Sequence, residues 1–189
     1  MPIYPHLRRL FVLMVVSLLL NPLALIDSQA VAVASSLINL LLTALAAYIL
    51  SRIASESPRL TRAFAFQIAT LVFLGLGILF MLLPPSDLLD TFSLMLILTG
   101  SIFSLLSDYN LFWGLDERII QFGYAYPARR IRWCFYVPLL GALAGSIAQL
   151  ATQLVEPGLI VQTVIQVIPL VLFSQFLRAV RDREADPLE

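Results

Sequence analysis

The chain has 189 residues, 60% of them hydrophobic, with a mean hydropathy of +0.91 and twelve basic side chains against twelve acidic ones. That apolar share is far above the range of a soluble domain and makes an integral membrane protein the first expectation. All twelve basic residues are arginine, which removes any lysine Schiff base or P-loop lysine. One cysteine (Cys134) and one histidine (His6) leave no intrachain disulfide, CxxC pair, bis-histidine haem or ordinary zinc site.

A helix needs about 20 apolar residues to cross the hydrocarbon layer, with about 17 as the short limit. Six stretches fit, near 10–26, 30–51, 63–83, 90–107, 133–154 and 159–178. The predicted fold is therefore all-α: a single transmembrane domain, residues 1–189, forming a polytopic bundle of six spans. The arginines fall in alternate breaks: Arg8 and Arg9, then Arg52, Arg59 and Arg62, then Arg118, Arg129, Arg130 and Arg132, then Arg178, Arg181 and Arg183. The intervening turns carry only Asp27, Asp87, Asp90 and Glu156. Arginine asymmetry in short loops sets orientation, so both termini are expected in the cytoplasm. Arg8-Arg9, the run to Leu20 and Ser28-Gln29-Ala30 also imitate a signal peptide, although the apolar pattern resumes at Val31.

Along the spans, Asn21-Pro22 should end or kink the first helix. In the second, Asn39 and Thr43 lie one turn apart among small residues and should face protein. The third carries Gln67 and is stopped by Pro84-Pro85, after which Ser86-Asp87 can cap the next helix. Ser93, Gly100, Ser104 and Ser107 share one face of the fourth, either as a packing seam or as a polar path, with Asp108 at its inner end.

The stretch 108–132 is the longest polar interruption and mixes arginines with six aromatic rings. It reads as an inner loop, divided by Gly114, Gly123 and Pro127, with Leu115–Phe122 as a short amphipathic helix lying in the interface. Arg118, Arg129, Arg130 and Arg132, together with Trp113 and Trp133, are candidates for lipid-headgroup or partner contact. The fifth span shows a small-residue stripe with Gly141 and Gly145 spaced as GxxxG, and Pro138 and Pro169 should bend the last two helices.

Gln149 and Gln153 on the fifth span, and Gln162 and Gln166 on the sixth, are each one turn apart. A turn centred near Pro157 would pair Gln153 with Gln162 and Gln149 with Gln166. Four amides would then meet in the outer half of the membrane, as either a hairpin ladder or a neutral polar pocket open to the outside, with Asn39, Gln67 and Ser104 as further walls.

No charged residue sits in the middle of a span, so proton-coupled transport loses support. Span-four serines have no base to activate them. Asp108, which an arginine such as Arg118 or Arg129 would neutralise at the boundary, joins Asp116 and Glu117 in no recognisable metal-binding spacing. No catalytic, cofactor or metal-binding residue is assigned. The residues favour a non-catalytic scaffold, assembly or partner subunit of a membrane complex. The alternatives are a small-solute binding or transport subunit, and a lipid-handling enzyme or lipid-binding protein at the cytoplasmic face. Membrane lipids and a membrane-protein partner or second copy are the expected partners, with no nucleic acid. Arginine polarity without disulfides suits a bacterial cytoplasmic or thylakoid-type membrane.

In size, six helices, inward termini and small-residue stripes, the chain resembles the substrate-binding subunits of energy-coupling-factor vitamin importers. The resemblance is architectural and rests on no sequence motif. It implies a small neutral solute bound near Gln149, Gln153, Gln162 and Gln166, and small-residue stripes that meet a transmembrane partner.

Overall fold

Apolar periodicity becomes helix throughout the computed structural model, which describes residues 3–20, 29–83 and 86–185. The helices are α1 (Tyr4–Leu20), α2 (Gln29–Ile53), α3 (Pro58–Met81), α4 (Asp87–Phe122), α5 (Trp133–Thr152) and α6 (Val155–Ala185), with no strand among the described residues. α2 to α6 are long and apolar enough to cross a membrane, while α1 has 17 residues. This is the architecture of an integral membrane protein, because a helix satisfies every backbone group within its own segment. Asn21-Pro22, Asp27, Ser28, Pro84-Pro85, the side chains of Gln29 and Ala30, and the last four residues lie outside the described residues.

Local chemistry sets the boundaries. Ser57 caps α3, its Oγ accepting from the Leu60 amide at 3.2 Å ahead of Pro58 in the first turn. Ser86 caps α4 in the same way through Leu89, with Asp87 and Asp90 placed favourably against the helix dipole. The break expected after Ser107 is absent: α4 continues for 36 residues, about 54 Å, and includes the stretch expected to lie in the interface. Gly114 does not interrupt it. That glycine is buried where a Cβ would stand 3.0 Å from the Leu60 side chain, so its missing side chain serves helix contact. Gly123, at φ 62°, is the residue that ends the helix, in the left-handed conformation glycine adopts without penalty. Leu115 and Ile119 are buried, whereas Ile120 and Phe122 point outward.

Each helix packs on its neighbours in sequence, and α6 returns to α1, so the six form a ring. α3 and α4 make the longest seam, where Ser93 Oγ donates to the Gly77 carbonyl and Ser107 Oγ to the Ala63 carbonyl, both at 2.9 Å. Gly100 lies in the same seam against Leu74.

Buried apolar side chains concentrate at the end of the ring where the arginines gather. Leu7 of α1, Leu50 of α2, Leu60 of α3, Leu115 of α4, Cys134 of α5 and Phe173 of α6 belong to one cluster there. Four polar ties close the same end. Glu184 of α6 accepts from the Ile3 and Tyr4 amides at the start of α1, at 2.7 and 3.2 Å. Arg59 of α3 pairs with Glu117 of α4, and Arg118 of α4 with Glu56 of the 3-10 turn Ala54–Glu56. Fully buried Asp116 of α4 accepts from Arg132 Nε at 2.8 Å and from the Arg129 backbone amide. Tyr109 and Trp113 of α4 meet Phe135 and Tyr136 of α5 beside this tie.

Candidate functional site

Inside the ring lies a cavity of ≈ 570 Å³ with walls from all six helices. Its polar lining is Ser17 of α1, Ser36, Asn39 and Thr43 of α2, Gln67 of α3, Asp108 of α4 and Gln166 of α6. The rest is aliphatic side chains with Pro138 and Pro169. Such a surface, mostly apolar with a few convergent polar groups, is the ordinary make-up of a small-molecule site.

Helical periodicity assembles the polar set. Ser36, Asn39 and Thr43 stand at intervals of three and four, which puts them on one face of α2. Thr43 Oγ1 donates to the Asn39 carbonyl at 2.8 Å, and the Thr43 carbonyl accepts from Gln67 Nε2 at 3.5 Å. Gln67 is therefore anchored between α2 and α3 while its amide remains on the cavity wall. Across the ring, Pro169 frees the backbone carbonyl of Ile165 because it has no amide hydrogen to give. Its own carbonyl accepts from Cys134 Sγ at 3.5 Å, tying α6 to α5 next to the cavity. Both prolines sit within uninterrupted helices.

Among the described residues of this wall, Asp108 alone can carry charge. It is half-buried, and no arginine neutralises it among the described residues. The two arginines expected beside it are turned elsewhere. Arg118 is buried against Glu56 with its guanidinium 4.5 Å from the Phe122 ring, and Arg129 contributes its backbone amide to Asp116. Aromatic rings pack next to Pro169 on the side of the arginine-bearing end. Phe173 follows Pro169 by one turn, stacks on Phe11 at 6.2 Å and meets Phe112 and Phe176 edge-on.

Three of the seven residues expected to form a pocket come together here: Asn39, Gln67 and Gln166. The other glutamines are separated from them by the register of the α5/α6 hairpin. A Cβ on Gly145 would lie 2.8 Å from the Gly158 carbonyl oxygen, and one on Gly141 would lie 2.9 Å from Ile165. This pairing centres the turn on Gln153 and Leu154. Pro157 falls in the first turn of α6, where an absent amide hydrogen costs nothing, so Glu156-Pro157-Gly158 is helix. Gln153 becomes the left-handed cap of α5, at φ 56°. Gln149 lies beside Gly158 and Gln162 beside Gly145. Gln166 is eight residues beyond Gly158, about 12 Å along the axis, which is too far for an amide rung with Gln149. Ser104 is half-buried on α4 and is not part of the cavity wall.

Among the residues suggested for lipid or partner contact, Arg118 and Arg132 are held in ion pairs, and Arg132 also lies over the Trp113 ring at 4.9 Å. Arg129, Arg130 and Trp133 are exposed. Gly141, Gly145 and Gly100 serve contacts within the chain, the first two with α6 and the third with α3. The sequence reading missed Ser17 and Ser36 as cavity residues. For Ser36 the signal was present, since it extends the Asn39–Thr43 stripe by one turn.

Tyr124 and Tyr126 lie between α4 and α5. Burial raises both phenols, Tyr126 to about 12, and the Tyr126 hydroxyl donates to the Leu172 carbonyl at 3.1 Å. Both rings pack edge-on against Phe176, which places them in the closed end of the ring.

Comparison with protein-family models, with curated proteins and with solved structures finds no match, so the functional reading rests on the geometry of this cavity.

Proposed function

We propose that the protein spans the membrane six times with its arginine-bearing end and both termini in the cytoplasm. In this reading it binds a small solute in the central cavity, as a solute-binding or transport subunit. The solute's ammonium or other strong hydrogen-bond donor lies at Asp108. Its neutral polar groups meet Gln67, Asn39 and Gln166, and its apolar body fills the space between Leu40, Leu74 and Leu170.

One observation carries this reading: Asp108 faces a cavity and, among the described residues, has no arginine to neutralise it. An ionisable group within a membrane-spanning helix is costly unless it is paired or faces water, and such groups mark substrate and ion pathways. A cationic solute supplies the pairing that the chain itself leaves out. The cavity volume, ≈ 570 Å³, falls within the range of about 300–1,000 Å³ usual for ligand sites.

The scaffold reading drew on residues that serve packing and anchoring, and Gly100, Gly141 and Gly145 among them meet neighbouring helices of the same chain. A lipid-handling enzyme would need Asp108, Asp116 and Glu117 to converge. Instead Asp108 faces the cavity, Asp116 holds Arg132 and Glu117 holds Arg59.

Purification in mild detergent followed by mass spectrometry of what copurifies tests the proposal. An amine-bearing small molecule should accompany the wild-type protein and be absent from Asp108→Asn. A stoichiometric protein partner without any small molecule would return the scaffold reading to first place.

A further inference from the structure

A second hollow, ≈ 630 Å³, lies between α1 and α2 at the arginine-bearing end. Tyr4, Arg8 and Val12 line it from α1 at intervals of four, so they form one file along the helix. Arg9 stands beside them, and Leu45 and Tyr48 supply the α2 side. The hollow is therefore graded, with guanidinium and phenol groups at the end of the bundle and aliphatic side chains toward its middle.

Two charges at its mouth have no ion-pair partner among the described residues. Arg59, Arg118 and Arg132 at the same end are in ion pairs, whereas Arg8 and Arg9 have no carboxylate partner among the described residues. Arg52 adds a third cation on the α2 side, held over the Tyr48 ring at 5.1 Å and donating to the Tyr48 hydroxyl at 3.0 Å. Such a cluster attracts an anion, and the apolar wall running away from it would be left against lipid.

We infer that this hollow is a binding site for one anionic glycerophospholipid, with its phosphate between Arg8 and Arg9 and an acyl chain along Val12 and Leu45. Charge complementarity selects the anion. The gradient from charge to aliphatic surface selects a lipid over a free phosphate, because only a lipid covers both ends. Apart from Leu13, which borders both, its lining residues are distinct from those of the central cavity.

Native mass spectrometry of the full chain in mild detergent, titrated with dioleoyl phosphatidylglycerol or dioleoyl phosphatidylcholine, tests the inference. Wild-type protein should retain one phosphatidylglycerol with at least about tenfold preference. The preference should vanish in Arg8→Gln/Arg9→Gln, return in Arg8→Lys/Arg9→Lys and persist in Arg178→Gln/Arg183→Gln, which removes equal charge from the same end. Val12→Trp should block binding by filling the hollow with the charges intact, and it carries the test if the glutamine variant does not fold. The inference is overturned if the two glutamine pairs lose the preference equally, which would be surface attraction, or if Val12→Trp binds as the wild type does. Inorganic phosphate competing at the same concentration as the lipid would likewise overturn it.

Discussion

Replacing Gly158 by alanine probes the register that separates the glutamines. A Cβ there would stand 2.6 Å from the Gly145 carbonyl oxygen, against 3.4 Å for the tightest ordinary contact. The obstacle is backbone, so relief requires α5 and α6 to part by about 0.8 Å. A gap of that order forfeits a quarter to a half of each dispersion contact across the seam. In a membrane, where lipid removes the hydrophobic drive, those contacts hold the helices together. The expected cost is about 1–3 kcal/mol, as for overpacking in general. Alanine is the better helix former by up to about 1 kcal/mol, which would mask part of the loss. Gly75→Ala supplies the reference, since it gains the same propensity and its Cβ would meet nothing closer than Leu40 Cδ1 at 3.9 Å. Reversible unfolding of both variants in mixed micelles, followed by circular dichroism, should show Gly158→Ala less stable than Gly75→Ala by that amount. Gly145→Ala should behave like Gly158→Ala, and the double variant should fall short of the sum because the two share one contact. Equal stability of Gly158→Ala and Gly75→Ala would refute the close crossing and with it the position of the turn.

Further outcomes follow from the closed end of the ring. Arg132→Ala strips a buried carboxylate of its partner and should cost about 3–5 kcal/mol by the same unfolding measurement. Arg181→Ala, whose partner Asp182 is exposed, should cost less than about 1 kcal/mol. Tyr126 has its phenol raised by burial to about 12, against 10.0 for an ordinary tyrosine phenol. The unfolded chain therefore loses its proton first, and the stability from this group is intact below pH 10 and lost as pH rises toward 12. Melting temperatures across that window should fall less steeply in Tyr126→Phe than in the wild type, and parallel curves would exclude the contribution. Reporter fusions at Asp87 and at Arg183 should report opposite compartments, and a shared compartment would contradict the proposed crossing of the membrane.

Helical spans were legible because hydropathy and length act over twenty residues, whereas the details that build the site turn on single ones. Gly114 and Gly123 look alike in sequence, yet one permits close approach to Leu60 within a helix and only the other takes a positive φ. Pro157 reads as the centre of a turn, but α6 starts at Val155 rather than near 159, which puts Pro157 harmlessly in a first helical turn and moves every glutamine pairing. Asp108 was visible only as the edge of an apolar run. Its lack of an arginine partner among the described residues depends on where Arg118 and the Arg129 backbone are held, by Glu56 and Asp116, acids 62 and 13 residues away in sequence. Asn39, expected to face protein, and Gln67, expected as a pocket wall, were legible as polar groups in apolar helices, and both border the cavity.

Calorimetric titration of primary ammonium compounds graded in size, with phenethylammonium set against its neutral isostere 2-phenylethanol, addresses the cavity most directly. If Asp108 pairs with the solute, the wild-type protein binds the ammonium member at least about tenfold more tightly than the alcohol, and Asp108→Asn abolishes that preference while still binding the alcohol. Equal affinities of wild type and Asp108→Asn for every ammonium compound in the panel would contradict the proposed role of the cavity.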